Sequence, residues 1–146
     1  MPLGGQLMII EIFTQFPEKF SFICTFLSGV VAFALGVLWF HPKVIGEKWA
    51  ETTGYANVKQ PKPIVYGISL LLWLLSASVY TFLTQFLTPP AIGELLGLST
   101  FLWVGFVLPS ILISGFYVQR NFLAMAVDSS YFLAGLYLFA VIHDVL

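Results

Sequence analysis

Long apolar runs alternate with short polar breaks along the chain. Charge is absent from Phe20 to Pro42, from Pro63 to Gly93 and from Leu95 to Gln119. A fourth run, Asn121 to His143, is broken only by Asp128. A helix needs about 20 apolar residues to cross a hydrocarbon core. The pattern therefore predicts four membrane-spanning helices, over about residues 20–41, 64–87, 95–118 and 122–143. Strands in lipid must close into a barrel and alternate apolar with polar positions. These runs are apolar on every side, so helices fit them and strands do not. The expected fold is all-α, a membrane four-helix bundle forming one integral domain over residues 1–146.

The breaks agree with this division. Pro61 and Pro63 flank the start of the second span, and Thr88-Pro89-Pro90 ends it. Gln119-Arg120-Asn121 is a short polar turn, which makes spans three and four antiparallel neighbours. Pro109 falls midway through span three and predicts a kink there, with Ser110 or a neighbour re-satisfying the freed carbonyl. Ahead of span one, Ile9, Ile12, Phe13 and Phe16 recur at helical spacing, with Glu11, Thr14, Gln15 and Glu18 on the other face. Residues 1–16 thus read as a short N-terminal interfacial helix, separated from span one by Pro17. Ala32-Phe33-Ala34 resembles a signal cleavage site. The segment before it is not basic, however, and the apolar run continues to Phe40, as in a retained anchor.

Composition and charge narrow the class. Hydrophobic residues make up 59% of the chain and charged residues 9%, against about 25% charged in an ordinary soluble domain. Six Lys+Arg face seven Asp+Glu, so the basic footprint of a nucleic-acid binder is missing. One cysteine, Cys24, excludes a disulfide framework and a Cys-based zinc site. The surroundings are therefore a lipid bilayer. Lys43, Lys48, Lys59 and Lys62 lie in loop 42–63 and Arg120 in the turn 119–121, whereas the other side carries Lys19. The positive-inside rule puts both loops in the cytoplasm and both termini outside, in a multi-pass protein of the cell (inner or plasma) membrane.

The densest motif closes span one. It runs Gly36-Val-Leu-Trp39-Phe40-His41-Pro42-Lys43-Val-Ile-Gly46-Glu47-Lys48-Trp49 and ends at Gly54. Gly36 continues a small-residue seam with Ser28 and Ala32, which lets another backbone approach closely; Ser130 and Ala134 form a second such pair. Trp39 and Phe40 suit headgroup depth. Pro42 stops the span, and Lys43 to Thr53 reads as a short amphipathic helix. Val44, Ile45 and Trp49 would face lipid, and Glu47, Lys48 and Glu51 water. This motif resembles the signature of domain-of-unknown-function family 1761, small and mostly bacterial four-span proteins. A second element of that resemblance is Phe116-Tyr117-Val-Gln-Arg120-Asn121 followed by Asp128-Ser-Ser-Tyr131. The likeness covers roughly residues 20–143. His41 stands where the family pattern has a small or variable residue. The resemblance implies the four-span architecture and leaves the function open.

Asp128 is the leading site candidate, because a carboxylate on a membrane helix is costly and is usually buried, paired or functional. Arg120 precedes it by about 12 Å along a helix axis, which reads as too far for a direct bond. Expected partners are Trp39 Nε1, Tyr66 and the hydroxyls of Ser129, Ser130 or Tyr131. The candidate polar site is thus Asp128, Tyr131, Trp39 and Arg120. His41 and His143 fall at opposite ends of the bundle and read as interfacial caps, so no metal site is expected. Glu94 should cap span three. Trp73 and Trp103 read as packing residues and Cys24 as an inert one. No Ser-His-Asp set, His pair at helical spacing or phosphate loop is present in the sequence.

No cofactor and no catalytic residue are expected. The small-residue seams point to a protein that acts by association, as a homo-oligomer or an accessory subunit of a membrane complex. Two alternatives stand beside this: a small transporter or channel with Asp128 on its path, and a lipid-acting enzyme at the cytoplasmic face with Asp128 and His41 as acid and base.

Overall fold

The computed structural model describes residues 10–11, 21–53 and 61–146, and these are helical with no strand. Four helices are long and apolar enough to cross a membrane. The interfacial helix expected over 1–16, Ile10 and Glu11 apart, lies outside the described residues, as do Pro17, Lys19, Gly54 and Lys59.

The first long helix, α1, spans Phe22–Trp39. Ser21 caps it, its Oγ accepting from the Cys24 N–H. A π-helical turn over Pro42–Gly46 follows and leads into a short helix, α2, Glu47–Thr53. His41 caps that turn, its Nδ1 accepting from the Lys43 N–H at 3.2 Å. Helix α3, Pro63–Leu87, starts on Pro63, whose fixed φ and missing N–H suit a first turn. It stops at Thr88, left-handed at φ 47°, ahead of Pro89-Pro90. The third span is α4, Ile92–Leu102, a π-helical turn over Trp103–Val107, and α5, Leu108–Tyr117. The fourth, α6, is Phe122–Val145, capped by Asn121.

One local expectation is corrected. The span-three disturbance begins ahead of Pro109, in the π-helical turn. Leu108 N–H there reaches back to Trp103 O, and the Ser110 hydroxyl donates to Phe106 O. An extra residue in one turn absorbs the proline's missing donor. Glu94 lies where the expectation puts it, within the first turn of α4 behind the cap position Ala91. Its charge there favours the helix N-terminus.

Helices α1, α3 and α6 pack together, and the third span lies against α6. The seam Ser28–Ala32–Gly36 is filled within the chain. Ser28 and Ala32 are fully buried, and a Cβ at Gly36 would collide with the Tyr131 hydroxyl. Gly29 and Gly135 likewise admit Leu74 and Trp73. The pair on α6 behaves differently. Ser130 is exposed and donates to Ala126 O, and Ala134 is half-buried. Aromatic rings run through the core among small and aliphatic residues. Centroids 5.2–5.6 Å apart link Trp49, Phe40, Tyr131, Trp73, Phe139, Tyr80 and His143 in an unbroken row. All six contacts are edge-on, the geometry that aromatic quadrupoles favour.

Candidate functional site: a closed polar triangle

Asp128 lies within the second turn of α6, at the end of the bundle that carries residues 42–53 and the turn 118–121. Arg120 Nη2 is 2.6 Å from its Oδ2. Trp49 Nε1 donates to its Oδ1 at 2.9 Å. The Arg120 guanidinium also lies over the Trp49 ring, 5.9 Å from the centroid, within the range of a cation–π contact. Three elements therefore meet at one carboxylate: the interspan turn, α2 and α6. The Arg120 and Asp128 side chains are 27% and 15% exposed, so the pair is only partly screened by water.

Local structure explains why Arg120 reaches Asp128 although their spacing reads as too long. Arg120 lies ahead of α6, not on it. Gln119 is left-handed at φ 54°, and Arg120 N–H bonds back to Gly115 O at 2.8 Å. That turn sets Arg120 beside the helix, and its long side chain covers the remaining rise. Trp49 is a second correction. The amphipathic pattern places it toward lipid, but its indole N–H needs an acceptor when buried, and it turns inward to the carboxylate. Glu47, Lys48 and Glu51 remain on the exposed face of α2.

The other expected partners lie elsewhere. Trp39 Nε1 is buried and has no hydrogen-bond partner among the described residues; its ring packs 6.4 Å from that of Tyr131. The Tyr131 hydroxyl accepts from Trp73 Nε1 at 2.6 Å and faces Ala32 O at 3.5 Å. Tyr66 is exposed near the start of α3. The structure thus brings Asp128 and Arg120 together, replaces Trp39 by Trp49, and gives Tyr131 to a separate pair. Gly36 serves the Tyr131 contact, and Pro42 and Gly46 bound the π-helical turn that delivers Trp49. Both oxygens of the Asp128 carboxylate are engaged by protein groups, one of them a guanidinium. His41 faces Lys43 N–H and makes no hydrogen bond to Asp128. Among the described residues no three His, Cys, Asp or Glu side chains gather to hold a metal.

Trp49 lies in the first sequence motif, and Arg120 and Asp128 in the second; the triangle is where the two motifs meet. A family model described as protein of unknown function, DUF1761, matches residues 23–143. The chain belongs to this family. The matched stretch of this DUF1761 member contains all three corners of the triangle and all four long helices but for their outermost residues. No curated protein and no solved structure shows a significant match.

A second polar cluster, not anticipated from the sequence, occupies the opposite end of this DUF1761 protein. Thr25, Thr81 and His143 are hydrogen-bonded in a row. The Tyr80 hydroxyl faces Leu95 O at 3.1 Å and Ser99 Oγ at 2.9 Å, and Ser99 donates to Leu136 O at 2.9 Å. These contacts tie α3 and α6 to the start of the third span. Isolated hydroxyls inside apolar runs were the available signal, since a buried hydroxyl must find a partner. Both His143 ring nitrogens are engaged by protein groups.

Proposed function

We propose that this DUF1761 protein acts by association within the membrane, as a homo-oligomer or an accessory subunit of a membrane complex, without catalysis of its own. The observation that carries this reading is the thin packing of the third span. Of the 18 most apolar consecutive residues in this span only 6% are buried, against 22–33% in the other three spans. Its backbone lies against α6, with Tyr80 of α3 reaching across at one end. Phe101, Val104, Phe106 and Ile113 are exposed, and Gly97 and Gly105 have open space beside them. Helices in lipid associate by close packing, for which small residues leave room. The closed state of Asp128 supports the same reading, since an ion path or an acid–base pair with His41 needs that carboxylate free. The protein sits in the cell membrane with loops 42–63 and 119–121 cytoplasmic, as their lysines and arginine favour.

Cross-linking in native membranes tests the association. Single cysteines replace Val104 or Ile113 on the third span, and Leu71 or Leu75 on α3, each in a Cys24→Ala background. A bifunctional maleimide is expected to give dimers or mixed adducts from the third-span positions and little from α3. A strictly monomeric population at all four positions overturns the reading.

A further inference from the structure

At the end opposite the connectors, one row of hydrogen bonds joins three helices. His143 Nδ1 lies 2.8 Å from Phe139 O. A carbonyl only accepts, so Nδ1 carries a hydrogen in either charge state. In the neutral ring, Nε2 is then a bare acceptor, and Thr81 Oγ1, at 2.9 Å, donates to it. Thr81 in turn accepts from Thr25 Oγ1 at 2.8 Å. A proton added at Nε2 turns this atom into a donor, and the row reverses. Nε2 donates to Thr81, Thr81 to Thr25, and Thr25 to Ser21 O at 2.9 Å. Ser21 O already accepts the Thr25 N–H at 3.1 Å and has a second lone pair for the hydroxyl. Neither state strands a donor or an acceptor along the row. Hydroxyls permit this because they rotate; an amide in the place of Thr81 could not exchange roles.

The ring is also reachable. A cavity of about 330 Å³ at this end is lined by Ser21, Cys24, Thr84, Gln85 and His143, among others. The titratable groups around the ring are few. α1 presents Cys24 and α3 presents Tyr80 with its ring at 5.2 Å; α4 contributes only the apolar Leu95, with Glu94 exposed beside it, and on α6 the neighbouring Asp144 is exposed. Among the described residues no carboxylate lies within ion-pair distance of His143. We propose that His143, Thr81 and Thr25 form a reversible proton switch. A proton from water in the cavity binds the Nε2 lone pair, and the hydroxyl row turns over so that α1, α3 and α6 stay joined in both states.

The test is a titration of the wild-type protein in lipid nanodiscs, with ¹⁵N-histidine and ¹³C-threonine labels, from about pH 8 to about pH 4, the range in which imidazole changes charge. The chain has two histidines, and His41, at the far end, gives a separate signal. The expected result is an Nδ1–H tautomer at high pH that becomes imidazolium on acidification. The Thr25 and Thr81 methyl signals should move with the same midpoint while helix content holds. A His143 ring that stays neutral throughout, or titrates with the threonines silent, overturns the proposal. Thr81→Val, which cannot accept from the charged ring, should lower the proton affinity of His143 about tenfold, and Thr81→Ser should restore it. If Thr81→Val does not fold, the wild-type titration decides alone.

Discussion

Trp49, Arg120 and Asp128 form a triangle whose corners differ in what their loss leaves behind. Trp49→Phe keeps a ring beneath Arg120 and removes one donor to a charged acceptor, a loss of about 1.5–3 kcal/mol. Arg120→Ala leaves a mostly buried carboxylate without its counter-charge, and should cost about 3 kcal/mol or more. Thermal unfolding in detergent, followed by helical circular dichroism, should rank Arg120→Ala below Trp49→Phe; the reverse order would contradict the ion pair's role. Glycines give an independent check on packing. Gly36→Ala and Gly135→Ala drive a methyl into Tyr131 and Trp73 and should each cost about 1–3 kcal/mol. Gly97→Ala meets open space and should be close to neutral. At this scale the sequence marks Asp128 clearly, as a charge inside an apolar run. Its partners are hidden for physical reasons. A helical wheel shows which face Trp49 occupies but not which neighbour that face meets. Axial spacing, in turn, ignores a turn that lays Arg120 alongside its helix.

Each element ends where its residues dictate. Pro63 opens α3, Pro89-Pro90 follows its close, and Asn121 caps α6. Charge-free length makes the spans legible, because a bilayer imposes nearly the same requirement on every crossing helix. The π-helical turns at Pro42–Gly46 and Trp103–Val107 are not legible. One extra residue in a turn leaves the apolar pattern almost unchanged, and Pro109 signals only that some adjustment is needed. The third span also depends on side-chain tethers that periodicity does not show. Trp103 Nε1 donates to Ser129 O at 2.7 Å near its middle, and Tyr80 and Ser99 hold its start. Tyr80→Phe should loosen that start by about 1 kcal/mol. Hydrogen exchange should then quicken in residues 92–99 and stay unchanged in residues 122–130; equal change in both segments would mean that Tyr80 supports the whole bundle.

For the whole molecule, four long apolar helices put α2 of the first connector and the turn 118–121 at one end and the turn 88–91 at the other. The clamp on Asp128 depends on this arrangement, because it joins the first connector to the second. The row from Thr25 to His143 then lies at the opposite end of the bundle. A labelling experiment on intact cells tests the four crossings most directly. Single cysteines replace Lys62, Gln119 or Pro90 in a Cys24→Ala background, and an impermeant maleimide is applied before and after permeabilisation. The account predicts that Pro90→Cys labels in intact cells, while Lys62→Cys and Gln119→Cys label only after permeabilisation. Labelling of Lys62→Cys and Pro90→Cys from the same side would contradict it.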